Sequence, residues 1–273
     1  MAHRKKRIVR IGRILVLFAI AAGIAAAVFY GFHMIRTRNQ KQEAAQVSPS
    51  AQPAATPSAS AEPTYDPSLF TDTDSLLLIA NKSHRLPEGY EPSDLVDVNT
   101  LGGHGNIAPM MRKEAAEAEA EMTAAAAEDG IYLQFSSAYR SEEYQSELYW
   151  GYVASDGQEA ADTYSSRLGY SDHQTGLAAD FVENGSTDFT AGFENTESGK
   201  WLYEHAWEYG FVIRYPKGKD EITGYTYEPW HYRYIGKDWA AKLHAVSPDE
   251  TIEEYFGVSG GTEYTDPIST PAS

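Results

Sequence analysis

From Ile14 to Phe32 the chain carries neither a charge nor a strong polar group. At about 1.5 Å per residue, such a run just crosses a hydrocarbon core of roughly 30 Å as a helix. Arg4, Lys5, Lys6, Arg7, Arg10 and Arg13 precede it, whereas only Arg36 and Arg38 follow closely. That asymmetry puts the N-terminus in the cytoplasm and everything after Arg38 outside the membrane. A cleaved signal peptide would have a shorter apolar run followed at once by small residues. Here the run ends in Phe29-Tyr30-Gly31-Phe32-His33-Met34, aromatic at interface depth. We read residues 1–13 as a cytoplasmic basic segment and 14–35 as an uncleaved, single-pass anchor. Residues 36–68 are dominated by Gln, Ala, Ser, Pro and Glu. They bury too little apolar surface to offset the entropy of ordering, so a disordered, extended spacer is expected. The folded part is expected over 69–256, standing off from the bilayer, with a flexible Gly/Ser/Thr-rich tail over 257–273.

Charge divides the same way. The net formal charge is −17, yet residues 1–38 hold eight basic residues and no acid. Beyond Arg38, 14 basic residues face 39 acidic ones. So acidic a domain is unsuited to nucleic acid, whose phosphates need a basic surface. No cysteine is present, which removes disulfides and thiolate metal sites and leaves His, Asp and Glu as metal ligands.

Within the domain, Ser75–Lys82 reads as a buried strand or short extended segment. Met110–Glu128 reads as an Ala/Glu-rich helix closed by Asp129-Gly130. Ile131–Phe135 alternates as a strand, and Arg140–Trp150 as a helix with Ser141 at its N-cap. A helix over Trp201–Tyr209 stops at Gly210, and a strand over Phe211–Tyr215 halts at Pro216. Gly218–Gly224 reads as a hairpin-like loop, Tyr232–Ile235 as a closing strand and Lys237–His244 as a short helix. Helices and short strands without a βαβ rhythm imply an α+β fold with a small, mostly antiparallel sheet flanked by helices.

Two stretches carry chemistry. Ser171-Asp172-His173-Gln174-Thr175-Gly176-Leu177-Ala178-Ala179-Asp180 sets a histidine and an aspartate seven residues apart around a glycine. Glu228-Pro229-Trp230-His231 sets a glutamate three before a second histidine. Two imidazoles and a carboxylate are a common ligand set for catalytic zinc, which keeps a position open for water. Glu228 is then the candidate general base. The plainer alternative makes Asp180 a turn residue, His173 a surface side chain and Glu228 one more solvated acid. Arg140, at a strand-to-helix junction, could clamp a carboxylate or an oxyanion, or pair with Glu143 or Glu147 on its own helix. Gln145 could bind substrate or face solvent, and Trp230 could wall a cleft. His84, His104, His205 and His244 read as packed or surface residues. The chain has no His-Glu-x-x-His, Ser-x-x-Lys or Lys-Thr-Gly, which excludes the hydrolases built on those motifs.

Ser171-x-His173-x-x-Gly176-x-Ala178-x-Asp180 with Glu228-Pro229-Trp230-His231 resembles the VanY-type D-alanyl-D-alanine carboxypeptidases. These belong to a zinc peptidase group that includes lysostaphin-like enzymes and the hedgehog signalling domain. Tyr139-Arg140-Ser141 and Gln145 fit the family's upstream substrate segment, with Ala138 where glycine is frequent. Asn81-Lys82 and Leu86-Pro87-Glu88-Gly89-Tyr90 resemble its entry region, and the similarity spans about residues 75–245. The resemblance implies that His173, Asp180 and His231 ligate Zn2+ and that Glu228 is general base and acid. It implies that Arg140 holds the oxyanion or substrate, and that Ser171, Gln145, Tyr139 and Trp230 contact the peptide. The implied fold is hedgehog/D-Ala-D-Ala-peptidase-like. The implied activity is removal of the C-terminal D-alanine from a peptidoglycan stem peptide, as a D,D-carboxypeptidase acting outside the membrane. The expected partners are that stem peptide and, through the anchor, the membrane; no nucleic acid is expected, and the protein is expected to be a monomer. The alternatives are L,D-carboxypeptidase action on tetrapeptide stems, a cell-wall endopeptidase, and a zinc-stabilised wall-binding module without turnover.

Overall fold

The structure is a computed structural model that describes residues 65–183 and 189–267. The expected cytoplasmic segment and anchor, and the spacer up to residue 64, lie outside the described residues. Among those described, no helix is long and apolar enough to cross a membrane.

In chain order the elements are β1 (Leu95–Asp97), β2 (Gly105–Ala108), β3 (Met110–Arg112), α1 (Lys113–Glu128), β4 (Gln134–Ser137), α2 (Glu142–Asp156), α3 (Gln158–Tyr164), β5 (Ala178–Val182), α4 (Glu197–His205), β6 (Phe211–Ile213), α5 (Asp220–Thr223), β7 (His231–Tyr234), α6 (Lys237–Val246) and α7 (Ile252–Phe256). One five-stranded sheet runs β2-β4-β5-β7-β6, and β1 pairs with β3 in a separate antiparallel ribbon. Only β2 and β4 pair in parallel; the other sheet neighbours are antiparallel. The α+β architecture with a small, mostly antiparallel sheet is therefore the one observed.

Alternation along the strands divides the sheet into two faces. Phe135, Phe181 and Tyr232 lie in edge-to-face contact, with centroids 6.1 and 5.8 Å apart, on the core side. Helix α1 covers them with Ala115, Ala116, Ala118, Met122 and Ala126, all buried. The helical spacing of these positions makes one apolar stripe, and alanine lets the helix approach the sheet closely. A second core lies against Val212 and Ile235, where Phe70 and Ile79 meet Leu243, Ile252 and Phe256 of α6 and α7.

Several expectations shift. Met110–Arg112 leaves the helix and forms β3, whose backbone pairs with β1. The segment 75–82 is not a ladder strand: the Arg233 guanidinium takes the carbonyls of Leu76 and Leu78 at 3.0 and 2.6 Å, where a neighbouring strand would have bonded. The loop at 218–224 contains the short helix α5. The expected closing strand begins at His231 and lies inside the sheet, between β5 and β6. Ser141 does cap α2, accepting from the Tyr144 N–H at 3.2 Å. Residues 65–68, expected in the spacer, belong to the folded part: Tyr65 packs edge-on against Phe256 at 4.8 Å. The tail expected to be flexible is docked over Ser259–Asp266. Ser259 O accepts from Asn81, Thr262 O from Lys82, and Asp266 from the Tyr170 hydroxyl. Residues 268–273 lie outside the described residues.

One buried group in α1 has a measurable consequence. Glu119 is fully buried, accepts from Thr123 Oγ1 at 2.7 Å, and has no partner for Oε2 among the described residues. Burial pushes its pKa up from 4.5 to about 7. The folded state thus holds a proton that the unfolded chain releases, and stability falls as pH rises between those values. A gap of this size corresponds to roughly 3 kcal/mol. Thermal melts at pH 5 and pH 8 should show the wild type losing stability relative to Glu119→Gln across this window. Parallel curves for the two proteins would remove Glu119 as the source.

Candidate active site

Strand register builds the site. Ser137 of β4 opposes Asp180 of β5, and Asp180 opposes His231 of β7. Directly opposed residues share a face, so these three side chains form one row across the sheet. Ser137 joins the row because β4 bulges: Phe135 opposes Phe181, yet Ser137, two residues on, opposes Asp180, one residue away. A bulge of this kind re-aims the side chain that follows it. His173 arrives from the connection into β5, on a 3-10 turn over Asp172–Thr175. Gly176 ends that turn with φ 69°, and its carbonyl accepts from the Arg112 N–H at 2.8 Å. A side chain there would be strained by φ and crowded by Arg112 and Leu95.

His173, Asp180 and His231 are each 3% exposed, and one ligand atom from each lies within 4.8 Å of the others. His173 Nε2 is 3.1 Å from Asp180 Oδ2, and His231 Nδ1 is 3.2 Å from Asp180 Oδ1. The opposite nitrogens are held from behind. His173 Nδ1 donates to Ala138 O at 2.7 Å, and His231 Nε2 donates to Asp172 Oδ2 at 3.4 Å. Each imidazole is thereby held in one orientation, with Nε2 of His173 and Nδ1 of His231 facing inward.

Electrostatics point the same way. Burial alone would depress His231, but hydrogen bonds to Asp172, Asp180 and Glu228 push its pKa well above the ordinary value. The pocket thus demands positive charge where the three side chains converge. His173 moves the opposite way, down to about 4, through burial and the nearby Arg140 charge, so it stays neutral. Asp180 is held well below the carboxylate range despite burial, by His173 and Arg140. Its Oδ1 is buried without an aligned hydrogen bond among the described residues. Two imidazole nitrogens and a carboxylate converging on one point, with Asp180 Oδ1 lacking an aligned partner, fit Zn2+, which would displace the His231 proton.

Glu228 Oε2 lies 3.3 Å from His231 Nδ1, and the residue is 8% exposed. The Glu228-Pro229-Trp230 turn, closed by the His231 N–H on Glu228 O at 3.2 Å, brings the carboxylate back over the row. Burial raises its pKa, which suits a general base. Arg140 does not pair with Glu143 or Glu147; its Nη2 bonds Asp180 Oδ2 and its Nε donates to Ser137 Oγ at 2.8 Å.

A cavity of about 600 Å3 opens over this cluster. Gln145, expected as a substrate contact or a surface residue, is buried in its wall. Its Nε2 donates to Ser166 O at 2.9 Å, and its Oε1 accepts from Ser171 Oγ at 3.4 Å. Ser171 and Trp230 also line the cavity, and exposed Ile107, Tyr144, Tyr152 and Phe189 surround its mouth. Tyr139 does not belong there. It is half-buried outside the cavity lining, because its backbone N–H is committed to Met110 O at 2.8 Å beside the ribbon. His84, His104, His205 and His244 also lie away from the cavity. Sequence reasoning missed Ser137, Tyr215 and Asp172. The Asp172 carboxylate sits beside His173 in the motif, but its partner is His231, and spacing carries no sign of that.

The family model VanY: D-alanyl-D-alanine carboxypeptidase matches residues 108–237. YodJ of Bacillus subtilis (strain 168), assigned as a carboxypeptidase, is 42% identical over 186 residues, covering 67% of this chain and 67% of that protein. The solved LD-carboxypeptidase LdcB is 39% identical with a TM-score of 0.61, covering 68% of this chain and 88% of its own. A variant of the D,D-pentapeptidase VanY from the VanB-type resistance cassette, solved with Zn(II), is 30% identical with a TM-score of 0.54, covering 65% and 97%. The chain belongs to the VanY family of D-alanyl-D-alanine carboxypeptidases and is a zinc metallopeptidase.

Proposed function

We propose that this protein removes the C-terminal D-alanine from peptidoglycan stem peptides, acting as a D,D-carboxypeptidase. The observation that carries this is the buried Glu228 carboxylate beside the His173–Asp180–His231 cluster, at the floor of a cavity open to a peptide end. His173, Asp180 and His231 would hold the zinc, which when bound polarises the scissile carbonyl and acidifies water. Glu228 takes the proton from the attacking water and passes it to the leaving amine, so that one group serves as base and then acid. Arg140, with its guanidinium at Asp180, is placed to stabilise the negative charge that develops on the carbonyl oxygen. Gln145 and Ser171 offer a hydrogen-bonding wall for the peptide terminus. L,D-cleavage of tetrapeptide stems is the second reading, supported by the 39% identity to LdcB. The enzyme would act outside the cell membrane, carried there by the 14–35 anchor and the spacer, as a monomer.

Release of D-alanine from pentapeptide and tetrapeptide stems, followed by mass spectrometry with a chelator control, tests this directly. Faster chelator-sensitive release from the pentapeptide is expected. Preference for the tetrapeptide would select the L,D reading, and no release from either would overturn both. Glu228→Ala should keep zinc while kcat falls by a factor on the order of 10²–10⁴; a wild-type kcat would remove Glu228 as the base. His173→Ala should lower both zinc stoichiometry and melting temperature, because ligation is coupled to folding. A protein lacking residues 1–64 should leave the membrane fraction and keep its turnover, with membrane retention counting against the anchor.

A further inference from the structure

Behind His231 lies a chain of buried charges that the reaction itself does not use. Asp172, Arg214, Arg233 and Glu253 are all at most 3% exposed. Arg233 stands two residues after His231 on β7, so both side chains point to the same face. Its Nη1 bonds Asp172 Oδ1, the partner oxygen of the one that holds His231. Arg214 follows β6 and donates two parallel hydrogen bonds to Glu253, at 3.0 and 2.7 Å. Glu253 Oε1 also accepts from Asn81 Nδ2 at 2.9 Å. Two carboxylates and two guanidiniums thus neutralise one another with almost no contact with water.

The pairing within this group is what matters. Arg214 Nε lies 3.8 Å from Asp172 Oδ1 and has no hydrogen-bond partner among the described residues. It is a buried donor within reach of the carboxylate that orients His231. Glu253 holds the other end of the same guanidinium with a bidentate grip, the strongest form such a pair takes. An arginine stripped of that grip would be an uncompensated buried charge, and Asp172 is the nearest carboxylate left to it.

We propose that Glu253, beyond the family-matched segment 108–237, is a positioning residue of the metal centre: by engaging Arg214 it leaves Asp172 to hold His231 with Nδ1 turned to the zinc. The proposal rests on the zinc-peptidase reading of the site, and it acts through Arg214 and Asp172 rather than through contact with substrate.

Zinc affinity, measured by competition with a chromophoric chelator on the full chain, separates this from a purely architectural role. Glu253→Gln keeps the shape and the Asn81 contact but removes the negative charge and one of the two hydrogen bonds that grip Arg214. Zinc binding should weaken about 10-fold or more, with kcat falling, KM unchanged and the visible spectrum of the Co(II) form altered. Replacing both partners, R214M/E253Q, removes the competing charge and should bring zinc affinity back to within about threefold of wild type, even where the melting temperature falls further. Zinc affinity in Glu253→Gln equal to wild type would overturn the proposal, as would a double variant as weak as the single one. Where Glu253→Gln does not fold, the double variant decides: near-wild-type affinity supports the proposal and a 10-fold loss refutes it. Because zinc binding is read without turnover, a wild-type protein that binds zinc but releases no D-alanine would count against the proposed reaction alone.

Discussion

Everything at the site depends on the register of β4, β5 and β7. The pairing of Ser137 with Asp180 and of Asp180 with His231 fixes one row of side chains on the face away from α1. A slip of one residue would exchange Asp180 for Phe181 or Ala179 and send the carboxylate into the aromatic core. The core therefore protects the chemistry. Phe135, Phe181 and Tyr232 bury well only in the register that turns Asp180 and His231 the other way. Folding energy and site geometry are set by the same hydrogen bonds.

The second constraint is the treatment of charge. The cavity floor gathers Asp172, Asp180 and Glu228 around two imidazoles and answers them with Arg140, Arg233 and Arg214. Such a cluster is costly to bury unless every member is paired. The pairs are arranged in depth: Arg140 at the cavity, Arg233 behind Asp172, and Arg214 with Glu253 deeper still. The imidazoles are oriented before any ligand arrives, so little ordering remains to oppose metal binding.

Much of the site was legible in the sequence, because its chemistry is local in two short stretches. His173 and Asp180 flank a glycine that the turn requires, and Glu228 and His231 flank a proline that ends strand regularity. The α+β class followed from element rhythm and the Ser141 cap from local backbone chemistry, whereas Gly210, expected to stop a 201–209 helix, ends the 3-10 turn Ala206–Tyr209 that follows α4. What escaped depended on distant partners. Segment 75–82 has strand-like composition, but a guanidinium 155 residues away takes its carbonyls. Tyr139 matched a substrate motif, yet its backbone is tied to the ribbon and its ring leaves the cavity. The tail reads as flexible by composition, while Tyr264 makes it adhere. Its hydroxyl accepts from the Arg167 N–H at 3.1 Å and meets the Tyr225 hydroxyl at 3.2 Å.

That docked tail changes what counts as the smallest intact enzyme. Tyr225 lines the cavity, and Tyr264 backs it from a position well beyond the segment shared with the family. Lys82 and Arg167 stack on the same ring, at 5.2 and 4.0 Å, joining the start of the domain to its end. Segments from the start and the end of the described domain are thus clasped on one side of the cavity wall. Grafts or fusions that cut at the family boundary would open this clasp, so an exchangeable unit has to keep Lys82, Arg167, Tyr225 and Tyr264 together.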